Sequence, residues 1–190
     1  MNKQKTIFIT GASTGLGRAT ALLFLQKGWR VIATMRKPED RKGLPEQENL
    51  TVMKMDVTDL GQINTTVAEC LKAGPVDVVF NNAGYGLLGA MEAFGDADIV
   101  KQIDTNILGV IRVTNAFIPH FRANGGGMFL STTSLGGHVG FPLNAIYNAT
   151  KFAIEGWSEG LSFELAMHNI SVKTIAPGAI ATDFGGRSLD

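Results

Sequence analysis

The segment Thr6–Gly17, TIFITGASTGLG, contains the pattern that decides the fold. Thr6–Thr10 is a short run of β-branched and aromatic residues, which is typical of a buried parallel strand. The glycines of Gly11–Gly17 let the chain turn tightly and approach a ligand closely. Leu16–Lys27 continues as an apolar-periodic helix, whose N-terminus would favour a phosphate. A glycine-rich loop alone also fits a structural turn. Followed by a helix and a second strand at Arg30–Met35, it predicts a dinucleotide site.

Beyond this segment, apolar runs alternate with helical patterns. The further predicted strands are Leu50–Met55, Val76–Phe80, Met128–Leu130 with its flanks, and Ser171–Ala176. The further predicted helices are Leu60–Ala73, a segment from Asp96 or Asp98 to about Phe121, and Ala145 to about His168. Pro38–Asn49 is polar, with two prolines and a glycine, and is predicted to be a surface connection. Six strands alternating with helices imply an α/β fold with a parallel, doubly wound sheet of the Rossmann type.

Composition limits the classes of function. A chain of 190 residues with 45% apolar residues predicts one domain over residues 1–190. Its 17 basic and 17 acidic residues leave no net charge, which argues against nucleic-acid and membrane partners. The single cysteine, Cys70, excludes an intrachain disulfide and a cysteine metal site, so we predict a core position and no metal. No signal-like or membrane-spanning run is evident, and a cytoplasmic location is expected.

The segment Ser134–Lys151, SLGGHVGFPLNAIYNATK, carries a candidate proton-transfer pair. If the chain is helical from Ala145, Tyr147 and Lys151 share one helix face, and their polar ends can meet. A tyrosine pKa of about 10 would need roughly 4 kcal/mol of differential stabilisation to reach 7. A lysine and a positively charged cofactor ring together are plausible sources of that energy. Ser134 adds a hydroxyl that can donate to a substrate oxygen. The alternative is an ordinary pair on a helix surface.

The position of the other suggestive segments decides between these interpretations. Each follows the C-terminal end of a predicted strand: residues 11–17, 36, 56, 81–84, 134 and 178–182. Ligands bind at that common edge in parallel α/β sheets, so we interpret Tyr147 and Lys151 as functional. Asn81–Gly84 is suited to close approach of a cofactor, although it also fits a simple turn. Asn106 lies inside a predicted helix, either as a solvated residue or as a buried amide with a task.

The residues after the second strand bear on the choice of cofactor. A site for NAD usually places an acidic residue there to bind the ribose hydroxyls. Residues 33–37 read ATMRK, with two cations and no carboxylate. The guanidinium of Arg36 can bind a 2′-phosphate, which favours NADP(H) over NAD(H). The alternative is a solvated turn.

These motifs closely resemble the short-chain dehydrogenase/reductase family, in family order over essentially the whole chain. The matching elements are Thr10-Gly11-x-x-x-Gly15-x-Gly17, Asp56, Asn81–Gly84, Asn106, Ser134, Tyr147-x-x-x-Lys151, and Pro177-Gly178 with Thr182. The resemblance implies that Tyr147 is the catalytic acid in reduction and the base in oxidation. It implies that Ser134 holds the substrate oxygen, and the family's serine-to-tyrosine spacing selects it over Ser131. Lys151 would bind the nicotinamide ribose and lower the pKa of the phenol, and Asn106 would hold a water linked to Lys151.

The resemblance also implies a cofactor site and a reaction. The expected cofactor-binding residues are Gly11, Ser13, Thr14, Gly15, Leu16, Gly17, Arg36, Asp56, Val57, Asn82, Ala83, Gly84, Tyr147, Lys151, Pro177, Gly178, Ile180 and Thr182. The implied reaction transfers a hydride between NADPH and the carbon of a carbonyl or secondary alcohol. Residues 33–36 and 82–89 resemble members that act on hydroxysteroids, retinoids or other apolar alcohols and ketones. For such substrates Leu87, Leu88, Phe141 and Leu143 would line an apolar pocket, although each also fits a core position.

One departure from the family pattern concerns the C-terminus. Family members normally continue past Thr182 with a substrate-covering segment, a helix and a seventh strand, whereas this chain stops at Asp190. We expect a fragment of a longer protein or a protein without its lid, with the sixth strand left as a sheet edge. A homodimer that pairs the Asn106 and Tyr147 helices is also expected. A dinucleotide-binding sensor without chemistry remains the alternative function, and a sugar-nucleotide epimerase fits the glycine spacing less well.

Overall fold

The computed structural model describes residues 4–41 and 43–180 and has one six-stranded parallel sheet. The strands are β1 Thr6–Ile9, β2 Arg30–Met35, β3 Leu50–Lys54, β4 Val78–Asn81, β5 Gly127–Thr132 and β6 Ile170–Ile175. Their order is β3-β2-β1-β4-β5-β6, and every neighbouring pair is parallel. The chain reverses its direction of winding between β1 and β4, which is the switch point of a Rossmann-type sheet. The predicted fold class is confirmed.

Helices cover both faces of the sheet. They are α1 Gly15–Gln26, α2 Leu60–Lys72, α3 Asp96–Ile103, α4 Gly109–Ala123 and α5 Ala145–Ala166. Short 3₁₀ turns occur at Pro38–Asp40, Met91–Ala93 and Leu135–Gly137. None of the helices in the described ranges is long and apolar enough to cross a membrane.

The core consists of two apolar clusters, one on each face of the sheet. Phe8 belongs to one cluster, and its neighbours Ile7 and Ile9 on β1 belong to the other. Successive strand residues point to opposite faces, so an uninterrupted apolar run indicates burial on both sides. The Phe8 ring packs against Phe117 of α4 with centroids 4.9 Å apart. Cys70 is buried in the Phe8 cluster, as predicted.

The predicted helix from Asp96 to Phe121 is wrong in its continuity. A π-helical turn, Asp104–Leu108, separates α3 from α4, and the Gly109 N–H donates to the Asp104 carbonyl. A π turn inserts one extra residue and often marks a functional site. Asn106 lies within this turn and is buried.

One strand boundary and one connecting segment also differ from the sequence prediction. Strand β4 begins at Val78 and not at Val76, because the Val76 N–H donates to the His120 imidazole, 3.1 Å away, outside the sheet. The segment predicted as a plain surface connection contains the Pro38–Asp40 turn and buries Leu44. In the described ranges β3 and β6 each pair with one strand, so β6 is a sheet edge.

Candidate active site

The glycine loop packs against the end of β4. Gly11 has a φ of +65°, and a Cβ atom there would lie 2.8 Å from the Ala83 Cα. Gly17 faces the Gly11 carbonyl and the Asn82 amide so closely that a Cβ would overlap both. The loop therefore lies so close to the residues that follow β4 that no side chain larger than hydrogen fits at Gly11 or Gly17.

Thr10 joins the loop to Asn82 and Ala83. Its hydroxyl accepts from the backbone N–H groups of both residues at 3.0 Å. The Asn82 side chain donates in return to the carbonyls of Thr10 and Gly11 at 3.2 Å. Asn82 thus braces the loop with its side chain. Thr10 belongs to the glycine-loop motif quoted above, but the sequence around it does not reveal that its hydroxyl joins the loop to Asn82 and Ala83.

The N-terminus of α1 is open to an anion. Thr14 precedes the helix with extended backbone, its side chain makes no capping hydrogen bond, and the first turn contains no acidic residue. Ser13, Gly15 and Leu16 border this end and are half-buried. Unfilled N–H groups and the helix dipole suit a phosphate here.

The residues expected around the adenosine follow β2 and β3. Arg36 is exposed immediately after β2. The Asp56 carboxylate accepts from the Thr58 N–H at 2.9 Å and from the Thr58 hydroxyl at 2.8 Å. Val57 is buried and packs against Gly109, so its side chain belongs to the core.

Ser134, Tyr147 and Lys151 converge beyond the ends of β5 and β6. Ser134 lies at the start of the Leu135–Gly137 turn, and its hydroxyl accepts from the Gly136 N–H at 3.0 Å. Burial raises the pKa of Tyr147 above its ordinary value, and a hydrogen bond with the Ser134 side chain opposes that increase. Ser131, the competing serine, is buried within β5, and its hydroxyl has no hydrogen-bond partner among the described residues. Ser134 is therefore the serine that contacts the phenol.

The Lys151 ammonium is buried beside the Tyr147 ring. The side chain is 6% exposed, and Nζ donates to the Thr132 carbonyl at 2.9 Å. Nζ is 5.6 Å from the centroid of the Tyr147 ring. Burial lowers the pKa of Lys151 to about 8, and the negative charge of Glu155 opposes this. The sequence expectation combined Lys151 with a positively charged cofactor ring. The groups of the protein alone leave the pKa of the phenol raised, because burial outweighs its polar contacts.

Asn106 is the buried amide that the sequence left open as one alternative. Its Oδ1 accepts from the Tyr85 N–H at 3.1 Å, and its Nδ2 donates to the Tyr85 carbonyl at 2.8 Å. Nδ2 also donates to the Thr150 hydroxyl at 3.1 Å. A Cβ on Gly84 would lie 3.1 Å from Asn106 Oδ1 and 3.8 Å from Lys151 Nζ. Asn106, Gly84 and Lys151 are therefore neighbours.

The segment after β6 borders the serine. The Pro177 carbonyl accepts from the Leu135 N–H at 2.9 Å, and Gly178 is open to solvent. Ile180 is exposed, and Thr182 lies outside the described residues. No group of three or more His, Cys, Asp or Glu side chains in the described part of the chain could hold a metal ion.

Comparison with known proteins identifies the family. The family model described as short chain dehydrogenase matches residues 5–189. The chain belongs to the short-chain dehydrogenase family.

Curated relatives of this short-chain dehydrogenase chain include fungal and vertebrate proteins. It is 39% identical over 189 residues to oxidoreductase BOA17 of Botryotinia fuckeliana, covering 97% of this chain and 69% of that protein. It is 34% identical over 196 residues to human retinol dehydrogenase 8, covering 97% of this chain and 62% of that protein. The chain therefore spans about two thirds of the length of these relatives.

Solved structures show the same fold. ElxO with NADP bound has a TM-score of 0.91 and 34% identity, covering 95% of this chain and 76% of ElxO. A 3-ketoacyl-(acyl-carrier-protein) reductase from Brucella melitensis complexed with NADH has a TM-score of 0.92 and 28% identity, covering 97% of this chain and 79% of that one.

The four residues predicted to line an apolar pocket differ in their exposure. Leu88, Phe141 and Leu143 are exposed, whereas Leu87 is buried. Leu143 is 60% exposed and has a φ of +61°, and its carbonyl accepts from the Gly89 N–H at 2.9 Å. Of the four predicted pocket residues, three are therefore available to a ligand and Leu87 is a core residue.

Proposed function

We propose that the chain forms one dinucleotide-binding and catalytic domain of an NADP(H)-dependent oxidoreductase acting on a carbonyl or secondary alcohol. The observation that carries the proposal is the convergence of Ser134, Tyr147 and Lys151 at the sheet edge that also carries the open glycine loop. When bound, the nicotinamide would supply or accept the hydride.

The residues suit the proton transfer. Burial keeps the Tyr147 phenol protonated at neutral pH, so it is ready to donate to a carbonyl oxygen. The Ser134 hydroxyl would orient that oxygen. With a pKa of about 8, Lys151 is mostly charged at pH 7, and its ammonium would stabilise the phenolate left after the transfer. Oxidation requires Tyr147 to lose its proton first, which burial opposes.

Tyr147→Phe tests the catalytic assignment. We expect this variant to retain NADPH binding, measured by nicotinamide fluorescence, because it loses one hydroxyl and keeps the ring. Its turnover with a panel of carbonyl compounds should fall roughly 10²- to 10⁴-fold. A variant that turns over normally would refute the assignment. A wild type that binds NADPH but reduces nothing would favour the non-catalytic sensor.

The preference for NADP(H) rests on Arg36. The two solved relatives hold NADP and NADH respectively, so similarity alone does not select the cofactor. Arg36 is exposed directly after β2 and can bind a 2′-phosphate. Arg36→Asp should weaken NADPH binding and relatively favour NADH. Lys37→Asp, the same charge change one residue on, is the matched control. Equal effects of both variants would reduce the Arg36 role to general charge.

We infer an apolar substrate from the exposed residues among the four predicted to line the pocket. Leu88, Phe141 and Leu143 present exposed apolar surface, and human retinol dehydrogenase 8 is among the relatives. We expect a retinoid aldehyde or a steroid ketone to have a lower KM than a small polar ketone. Phe141→Ser should reduce that difference in KM. Equal KM values would refute the apolar assignment.

A homodimer is proposed from the outer face of α5. Phe152, Phe163 and Met167 are exposed there, the last two by 75% and 83%. Gly156 and Gly160 on the same helix have open space above them, which would allow a second helix to approach. Sedimentation should show a dimer that Phe163→Asp converts to a monomer. A wild-type monomer at micromolar concentration would refute the proposal.

A further inference from the structure

Glu155 is a half-buried carboxylate close to the candidate catalytic groups. It lies one helical turn after Lys151 on α5, and its side chain is 19% exposed. Its Oε2 accepts from the Thr174 hydroxyl of β6 at 3.0 Å. Its Oε1 is 3.2 Å from Nε2 of His138 and has no hydrogen-bond donor assigned among the described residues. Burying a carboxylate costs free energy unless it is paired, so a half-buried carboxylate at this position indicates a role for its charge.

The two partners of Glu155 come from two other elements of the site. His138 ends the Leu135–Gly137 turn that begins at Ser134, and Thr174 lies near the end of β6. A Cβ on Gly137 would lie 3.1 Å from the Lys151 carbonyl and 3.3 Å from Glu155 Cγ, so the turn packs directly on this part of α5.

We propose that Glu155 is a positioning residue for Lys151. Its carboxylate, which His138 and Thr174 hold in place, supplies the counter-charge one helical turn from the buried ammonium. The inference rests on the proposed oxidoreductase function for its catalytic meaning. It deepens that function because it names the counter-charge of the buried lysine.

The charges around Lys151 support this assignment. Burial lowers the pKa of Lys151, and Glu155 is the charged group that raises it again. On the elements packed against α5, Asp104 pairs with Arg112, Lys101 lies over the Tyr85 ring, and Lys173 of β6 is exposed. His138 acts on the carboxylate by position, because its Nε2 lies 3.2 Å from Glu155 Oε1.

The decisive measurement is the titration of Lys151 in full-length protein labelled with ¹³C at lysine Cε, followed by NMR. Glu155→Gln should lower the pKa of Lys151 by about half a unit or more. Glu159→Gln makes the same change at an exposed position of α5 and should leave Lys151 unchanged. An unchanged Lys151 in Glu155→Gln, or an equal shift in both variants, would overturn the proposal.

His138 supplies the second arm. His138→Ala should lower the pKa of Lys151 in the same direction, and His138→Gln, whose amide can donate like Nε2, should restore it. No effect of His138→Ala, or no restoration by His138→Gln, would remove His138 from the proposal.

The catalytic readout is the pH profile. With Lys151 titrating half a unit lower, kcat/KM of Glu155→Gln should fall about threefold relative to the wild type at pH 8.5 and stay near the wild-type value at pH 6.5. A uniform loss at every pH would indicate a merely structural role and overturn the proposal. The Lys151 titration needs no turnover. An inactive wild type would therefore refute the oxidoreductase function while the NMR result still decides the role of Glu155.

Discussion

Replacing Lys151 with methionine should stabilise the folded chain, and the gain should depend on pH. The ammonium is buried at 6% exposure, and its pKa falls from 10.5 to about 8. A shift of this size corresponds to about 3 kcal/mol of cost at pH 7, where both the folded and the unfolded lysine are charged.

The sign follows from proton binding. Between the folded and unfolded pKa values the unfolded chain binds more protons, so wild-type stability rises with pH from about 8 to 10.5. At pH 9.5 the remaining cost is about 1 kcal/mol. Methionine carries no charge, and it leaves the Thr132 carbonyl without its donor, which costs about 1 kcal/mol. The net gain of Lys151→Met should therefore be about 2 kcal/mol at pH 7 and near zero at pH 9.5.

Urea unfolding of both proteins at pH 7 and pH 9.5 tests this. The difference in free energy of unfolding should shrink by about 2 kcal/mol between the two pH values. Lys173→Met on β6 removes an exposed lysine and should show no such change. A destabilised Lys151→Met, or a difference independent of pH, would refute the reasoning that burial of the ammonium sets its pKa.

Three further predictions concern other parts of the structure. Gly11→Asn should lower the free energy of unfolding in urea by more than about 2 kcal/mol and weaken NADPH binding, because a Cβ would overlap Ala83. The control is Gly28→Asn, at a glycine with a similar positive φ but open space around it, and it should cost less than about 1 kcal/mol. Burial raises the pKa of Cys70 to about 12, so it should not react with a thiol reagent at pH 8 until the protein unfolds, and reaction at the free-thiol rate would contradict this. Leu143→Asn should raise the free energy of unfolding by about 1 kcal/mol, since asparagine tolerates a φ of +61°, and a loss of stability would show that the leucine contacts matter more.

Local patterns predicted most of the fold and the placement of the main site residues. The glycine loop, Arg36 and the Tyr147–Lys151 pair follow strand ends or share a helix face, and parallel connectivity brings strand ends together. Such features depend on residues near one another in sequence, so the sequence suffices to place them.

Features that depend on packing between distant segments were not predictable. Asn106 in the π turn contacts Tyr85 and Thr150, and Glu155 acquires its surroundings from β6 and the His138 turn. The raised pKa of Tyr147 in the protein alone was not predictable for the same reason. Its dominant cause is burial, which only the assembled structure defines.

The brace between Thr10 and Asn82 imposes an order of events during synthesis. Its two ends are separated by 72 positions in the sequence, and β4 must dock beside β1 before the hydroxyl can accept from the second strand end. A nascent chain of which only β1, α1 and β2 have left the ribosome therefore has the glycine motif but lacks the residues after β4 that pack against it. Until β4 leaves the ribosome, cofactor binding cannot assist folding, and the early chain must rely on its own apolar contacts.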